Sequence, residues 1–220
     1  MTNVVIQCAG RKSPDAGYFE TKDGQRVVFV AYPEEAPRQE GTFYARPDEV
    51  SEDGKHTWRE RLRFYNAQPR SNVCGLLPAG WLYQPGEYRA LVDVFGSVHV
   101  FILSAGWGLI RSDFLTPYYD ITLSRPSKKH ERYKWRRPGD HFEDFCHLPA
   151  DDAESVIFMG GENYRPLFEG LTSDTAARKT IYYRSGTIKH RPDFTYERYD
   201  CRRRTNWHYS CANDLIAGRL

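Results

Sequence analysis

The chain has 220 residues, a formal net charge of +2 and 15% aromatic residues. This length allows one large domain with a sizeable core, and the near-neutral charge excludes a global basic field that would by itself indicate nucleic-acid binding. No run of about 18 apolar residues is present, which predicts no membrane-spanning helix.

The five cysteines form neither a CxxC pair nor a zinc-ligand pattern with histidine. Free thiols are typical of a reducing compartment. The first residues are too short an apolar run for a signal peptide. We therefore predict a cytoplasmic protein that uses no metal and no cofactor.

Short apolar strands alternate with helices along the chain. In order, the sequence predicts a strand at 4–7, a hairpin at 18–31 that turns at Asp23-Gly24, a helix at 57–65, a helix or a strand at 87–94, a strand at 98–103, the start of a helix at 140–145, a strand at 155–159, a helix at 164–171, a strand at 180–183 and a helix at 206–217. This alternation predicts an α/β fold, with an open and mostly parallel sheet flanked by helices. We interpret 1–220 as a single domain, with the hairpin at 18–31 and a basic C-terminal tail and helix at 199–220 as additions to it.

Three of the predicted strands end in small residues, at positions 8–10, 104–106 and 160–161. Ligands of open α/β sheets bind outside the carboxyl ends of the strands, and small residues there let a ligand approach the backbone. We therefore expect the three segments to converge on one crevice. The candidates for its aromatic wall are Trp107, Tyr118 and Tyr119.

Three sequence blocks occur in an order known from one protein family. They lie at 8–12 (CAGRK), at 103–120 (LSAGWGL followed by PYYD) and at 159–165 (MGGENYR). The chain resembles the YaaA-related proteins with a uracil-DNA-glycosylase-like Rossmann fold, whose blocks read Cys-x-x-x-Lys, LSAKYGL…PYD and LAGxxYR. The Lys-Tyr of that pattern is Gly106-Trp107 here. The resemblance implies a nucleobase- or nucleic-acid-directed role. Relatives with this fold act on DNA, and some serve in defence against phages whose DNA carries modified bases.

The resemblance leads us to expect a DNA glycosylase, and because no lysine stands out as a Schiff-base former, we expect a monofunctional one. Such an enzyme flips a base, here a modified one, out of the stack and hydrolyses its N-glycosidic bond, which leaves an abasic site. The reaction needs a carboxylate near the sugar C1′, to orient water or to stabilise the cation that develops on the sugar. Asp120 is the first candidate and Asp113 the second. The alternative for each aspartate is the cap of a turn.

Six residues beside the predicted strand ends are candidates for contacts with the base. The alternatives are a place in the core for the aromatic residues, a small buried hydrophobe for the cysteine and a helix cap for the asparagine. The predicted base-binding residues are Cys8, Ser104, Trp107, Tyr119, Asn163 and Tyr164.

Basic residues after the first strand and in the tail are candidates for contacts with DNA phosphates. Their alternative is ordinary solvated charge. The residues are Arg11, Lys12, Arg202, Arg203 and Arg204. DNA is therefore the predicted partner. Two other functions remain open. A stress-related DNA-binding protein would show salt-sensitive affinity without base release, and a nucleotide N-glycosidase or transferase would free the base from mononucleotides.

Overall fold

The computed structural model of the protein describes residues 2–68, 71–151, 154–186, 188–202 and 205–220. Twelve strands lie within these ranges. In chain order they are β1 (Thr2–Gln7), β2 (Phe19–Glu20), β3 (Arg26–Phe29), β4 (Thr42–Ala45), β5 (Leu77–Pro78), β6 (Val100–Ser104), β7 (Gly108–Arg111), β8 (Leu115–Thr116), β9 (Phe145–Cys146), β10 (Ser155–Met159), β11 (Lys179–Tyr183) and β12 (Phe194–Arg198).

Five α-helices accompany these strands within the described ranges. They are α1 (Trp58–Ala67), α2 (Ala79–Leu82), α3 (Glu87–Phe95), α4 (Arg165–Leu171) and α5 (Trp207–Ile216). The helix α1 begins where the sequence pattern Thr-x-x-Glu occurs, because Thr57 and Glu60 cap each other's backbone N–H groups in a capping box. The helix α3 contacts β1, β6 and α5, so these two helices lie together against the central strands.

The main sheet has seven strands in the order β12-β11-β10-β1-β6-β7-β9. Five neighbouring pairs are parallel, and only β6 and β7 run antiparallel. Its central strand, β1, is a continuous apolar run whose residues Val4, Val5 and Ile6 are fully buried, as expected of a strand covered on both faces. The prediction of an open, mostly parallel α/β sheet is confirmed.

The strand order reverses at β1. The chain passes from β1 to β6 on one side of it and later to β10 on the other, and from β10 it continues outward to β11 and β12. The carboxyl ends of β1 and β10 therefore border a topological switch point, which is where open α/β sheets form a crevice. The backbone N–H of Gly161 donates a hydrogen bond to the side-chain oxygen of Gln7 across this point.

The segment 18–31 forms an antiparallel hairpin of β2 and β3. Its loop is longer than the two-residue turn that we expected, because the register pairs Glu20 with Arg26 and leaves 21–25 between the strands. Gly24 has a positive φ of 75° in that loop. A third strand, β4, pairs in parallel with β3, so the hairpin belongs to a separate three-stranded sheet.

Most predicted elements agree with the structure to within a few residues, and the segment 87–94 is helical. The helix predicted to start at 140–145 is wrong. The Asp140 carboxylate accepts hydrogen bonds from the Arg137 backbone N–H and the Tyr32 hydroxyl, which holds a turn there. The N–H of Phe145 then bonds to the carbonyl of Trp107, and the chain joins the sheet as β9.

Two further features bear on the sequence predictions. Within the described ranges, the structure contains no helix with the length and apolar character needed to cross a membrane. Within the described ranges, Cys8, Cys74, Cys146 and Cys211 form no disulfide bond.

Candidate functional site

The three segments that were predicted to converge do meet, at the carboxyl ends of β1, β6 and β10. The Cys8 thiol lies 3.4 Å from the Tyr164 hydroxyl, and the backbone N–H of Ala105 lies 3.5 Å from the same sulfur. Because β1 is parallel to both neighbours, their ends share one edge of the sheet. The structure therefore brings together Cys8, Ser104 and Tyr164 from blocks that are far apart in the chain.

A chain of buried hydroxyl groups continues from this meeting point. Ser104 donates a hydrogen bond to the Tyr119 hydroxyl at 2.9 Å, and that hydroxyl lies 2.7 Å from the hydroxyl of Tyr83. Tyr88 donates to the backbone carbonyl of Gln7. Burial raises the pKa of Tyr83 and of Tyr119 well above the ordinary value, so both phenols stay protonated at neutral pH.

These side chains fill the crevice. Cys8, Ser104, Tyr119 and Tyr164 are each at most 5% exposed, and they contact one another directly. A base bound at this edge would therefore lie over the layer of tyrosines and not among the strand ends beneath it.

Trp107 is part of the core. Its side chain is fully buried, with the ring of Phe29 at 5.0 Å and the guanidinium of Arg59 at 5.4 Å. The prediction that Trp107 stacks on a flipped base is wrong, because both neighbours cover the ring within the protein.

Lys12 also lies inside the protein, although we expected it on a phosphate. Its ammonium group sits 4.2 Å from the centre of the Tyr119 ring and 5.7 Å from that of Tyr118. Burial lowers the pKa of Lys12, and the nearby Cys8 and Asp120 oppose this shift. Lys12 therefore lies in the wall of the crevice and not on its outer surface.

Asp120 occupies the rim. Its carboxylate oxygen lies 2.8 Å from the ammonium of Lys134, and its side chain is 31% exposed. The backbone N–H of Asp120 donates to the carbonyl of Phe29, which ties the rim to β3. Burial lowers the pKa of Lys134, but its hydrogen bond and attraction to Asp120 outweigh this, so the net shift is upward. The pair is thus a solvent-accessible carboxylate held in place by a cation.

An aromatic surface borders the rim next to Asp120. The half-buried rings of Tyr18 and Tyr118 stack with centres 5.1 Å apart, and the guanidinium of Arg26 lies 5.4 Å from the Tyr18 ring. Alternating aromatic rings and cations suit stacked bases with a phosphate backbone. We call the residues Tyr18, Arg26, Tyr118, Asp120 and Lys134 the rim site.

Two buried arginines hold the small-residue turn between β6 and β7. Arg59 donates to the carbonyls of Gly106 and Trp107, at 2.9 and 3.2 Å, and Arg136 donates to the carbonyl of Ala105. Arg136 also forms a bidentate pair with Asp144. Three consecutive backbone carbonyls thereby receive charged donors, which fixes the turn beneath the crevice.

Asp113 does not belong to this site. Because β7 runs antiparallel to β6, it returns the chain to the opposite edge of the sheet, where Ser112 bonds to Val100 at the start of β6. There the Asp113 carboxylate pairs with the side chain of Arg111 at 2.6 Å. The prediction of Asp113 as a second catalytic carboxylate is therefore wrong.

The remaining predicted residues lie at the outer surface or outside the described ranges. Asn163 is exposed and donates to the Ser124 hydroxyl. Arg11 and Arg202 are exposed. The tail residues Arg203 and Arg204 lie outside the described residues.

Sequence reasoning missed several residues that the site uses. The inner tyrosines Tyr83 and Tyr88 lie in segments without a motif, so no local pattern indicated them. Tyr18 belongs to the hairpin region, and Arg59 lies on the buried side of α1, where an arginine is unexpected.

The substitution Tyr119→Phe tests the buried hydroxyl chain. It leaves the Tyr83 hydroxyl and the Ser104 hydroxyl without this partner in a buried place. We expect a loss of about 1–3 kcal/mol in the free energy of unfolding, measured by urea denaturation. Tyr44→Phe is the control, because its hydroxyl bonds to Gln39 at the surface. Equal stability of the two variants would contradict the role of the hydroxyl chain.

The fold is that of an open α/β protein whose strand order reverses at β1. No family model matches the chain, and no curated protein or solved structure matches it either. Among the described residues, no group of three or more His, Cys, Asp or Glu side chains is placed to hold a metal ion.

Proposed function

We propose that the protein is a DNA glycosylase that hydrolyses the N-glycosidic bond of a modified base. The observation that carries the proposal is the accessible Asp120 carboxylate, which Lys134 holds at the carboxyl edge of the sheet beside stacked tyrosines. The resemblance of the three sequence blocks to the YaaA-related family supports the same reaction, and it favours phage DNA with modified bases as the substrate.

In the proposed reaction the target base leaves the DNA stack and lies on the rim site. Tyr118, over the ammonium of Lys12, offers the base an aromatic surface. The bond between C1′ and the base nitrogen breaks, and its electron pair leaves with the base. The Asp120 carboxylate stabilises the positive charge on the sugar and orients a water molecule, whose oxygen bonds to C1′.

The cations around Asp120 have separate tasks in this scheme. Lys134 holds the carboxylate in one orientation through its 2.8 Å contact. Lys12, which lies close enough to Asp120 for the two charges to interact, stabilises the negative charge that develops on the departing base. The water gives up one proton, which ends on the released base, so that the products are a free base and an abasic site.

A second candidate is a DNA-binding protein without turnover. The filled crevice favours it, because the tyrosine layer leaves the base a surface and not an enclosed pocket. In this case the rim site would bind bases by stacking, with an affinity that falls steeply with salt.

A panel of phage genomic DNAs, with and without modified bases, separates the two candidates. The wild-type protein is incubated with each DNA, and released bases are identified by mass spectrometry. Release of one modified base with matching abasic sites supports the glycosylase. Salt-sensitive binding without any released base supports the second candidate, and release from mononucleotides but not from DNA contradicts both.

A further inference from the structure

A cavity opens at the same edge of the sheet as the rim site, beside the strands β11 and β12. Its volume is about 430 Å³, and three of its six lining residues are arginines. The lining residues are Arg184, Ser185, Arg198, Asp200, Cys201 and Arg202.

The topology places this cavity in line with the rim site. Arg184 directly follows β11, and Arg198 ends β12, where its register partner is Tyr183. The N–H of Tyr199 still bonds to the carbonyl of Tyr183, so the two strands stay paired up to the cavity. Since β12, β11, β10 and β1 are all parallel, both arginines lie at the edge that also carries Cys8.

The charge of the cavity is positive, and one of its donors lacks an acceptor. Asp200 offsets one of the three positive charges through a 3.2 Å contact with Arg198, whose side chain is 66% exposed. The Nε–H of Arg184 is inaccessible to solvent and has no hydrogen-bond partner among the described residues. This nitrogen is closed to an outside ligand, so the match to phosphate oxygens rests on the three guanidinium groups that line the cavity, because guanidinium groups bind phosphate in bidentate geometry.

We propose that this cavity binds a phosphodiester of the same DNA strand whose target base occupies the rim site. The choice of DNA as ligand rests on the proposed function. Neighbouring strands lie about 4.8 Å apart, so the ends of β11 and β12 are about 10 and 14 Å from the end of β1. A stacked DNA strand advances about 3.4 Å per nucleotide, so these two spans correspond to about three and four nucleotides of DNA strand.

The test measures binding of the full chain to an unmodified oligonucleotide duplex by fluorescence anisotropy over a range of salt concentrations. For the double variant Arg184→Gln, Arg198→Gln we expect weaker binding. The slope of log affinity against log salt should fall by about 0.9 for each phosphate contact that is lost. The matched control is Arg111→Gln at the opposite edge. Like Arg198, Arg111 is exposed and pairs through Nε with an aspartate two residues further on.

Each outcome decides the proposal. A salt slope that stays at the wild-type value in the double variant overturns it, and so does a slope that falls equally in Arg111→Gln. A thermal shift with inorganic phosphate that the double variant loses, without any change in the DNA slope, would assign the cavity to free phosphate and overturn it too. A reduced slope in a protein that releases no base from any DNA supports the phosphate site while the glycosylase fails.

Discussion

We expect Asp120→Asn to lower the rate of base release by about 10²–10⁴-fold, with a DNA affinity within about threefold of wild type. The amide keeps the size of the side chain but removes the negative charge that the proposed mechanism places opposite the sugar cation. The protein stays folded, because the carboxylate is partly exposed and its contact with Lys134 is a surface ion pair worth about 0–1 kcal/mol. Single-turnover base release on the DNA that the panel identifies, together with a thermal melt, measures both effects.

Glu131→Gln is the matched control for Asp120→Asn. Glu131 contacts the same lysine, Lys134, at 3.8 Å and is exposed to a similar degree, so its loss changes the local charge equally. We expect base release by this variant at nearly the wild-type rate. A rate of base release in Asp120→Asn equal to that of Glu131→Gln would show that the Asp120 carboxylate takes no part in the reaction, and the proposed mechanism would be wrong.

The convergence of distant segments could be predicted because it follows from strand direction alone. Once the sheet is mostly parallel, the ends of the strands at 4–7, 98–103 and 155–159 must share an edge. The burial of that edge could not be predicted in the same way. Small residues at strand ends indicate room, but the sequence does not show that Tyr83 and Tyr88, from segments without a motif, fill that room.

The wrong prediction for Asp113 could in part have been avoided from the sequence, because the link between β6 and β7 is short. Only the residues 105–107 separate β6 from β7, and Gly108 adopts a positive φ of 87°. A link this short cannot carry a parallel crossover, which needs a dozen residues or more, so the chain must turn back. Our prediction extended the carboxyl edge through the whole block at 103–120. Asp120 returns to that edge, whereas Asp113 stays at the other.

Trp107 was misassigned for a different physical reason. A large aromatic residue beside a strand end is compatible with a ligand surface and with a core position, and local pattern does not separate the two. The decision depends on long-range packing against Phe29 from the smaller sheet and Arg59 from α1. The tyrosines that do border the rim, Tyr18 and Tyr118, come from two segments whose contact likewise has no local signal.

The largest loss of stability is expected for Arg59→Met. Arg59 is almost fully buried, pairs with Asp48 and donates to the carbonyls of Gly106 and Trp107. Removing the guanidinium leaves a carboxylate without its cation and two backbone carbonyls without these donors. We expect a decrease of about 3–5 kcal/mol in the free energy of unfolding, measured by urea denaturation.

Two further variants show whether the loss comes from the buried guanidinium. Arg63→Met removes an exposed arginine one turn further along α1 and should change the free energy of unfolding by less than about 1 kcal/mol. Arg59→Lys keeps the positive charge but not the planar arrangement of donors. Its decrease in the free energy of unfolding should therefore lie between those of Arg59→Met and Arg63→Met. A stability of Arg59→Met within 1 kcal/mol of Arg63→Met would show that the turn from 105 to 107 holds its shape without Arg59. The positions of Ser104 and Tyr119 at the crevice would then depend on Arg136 and on the strand pairing alone.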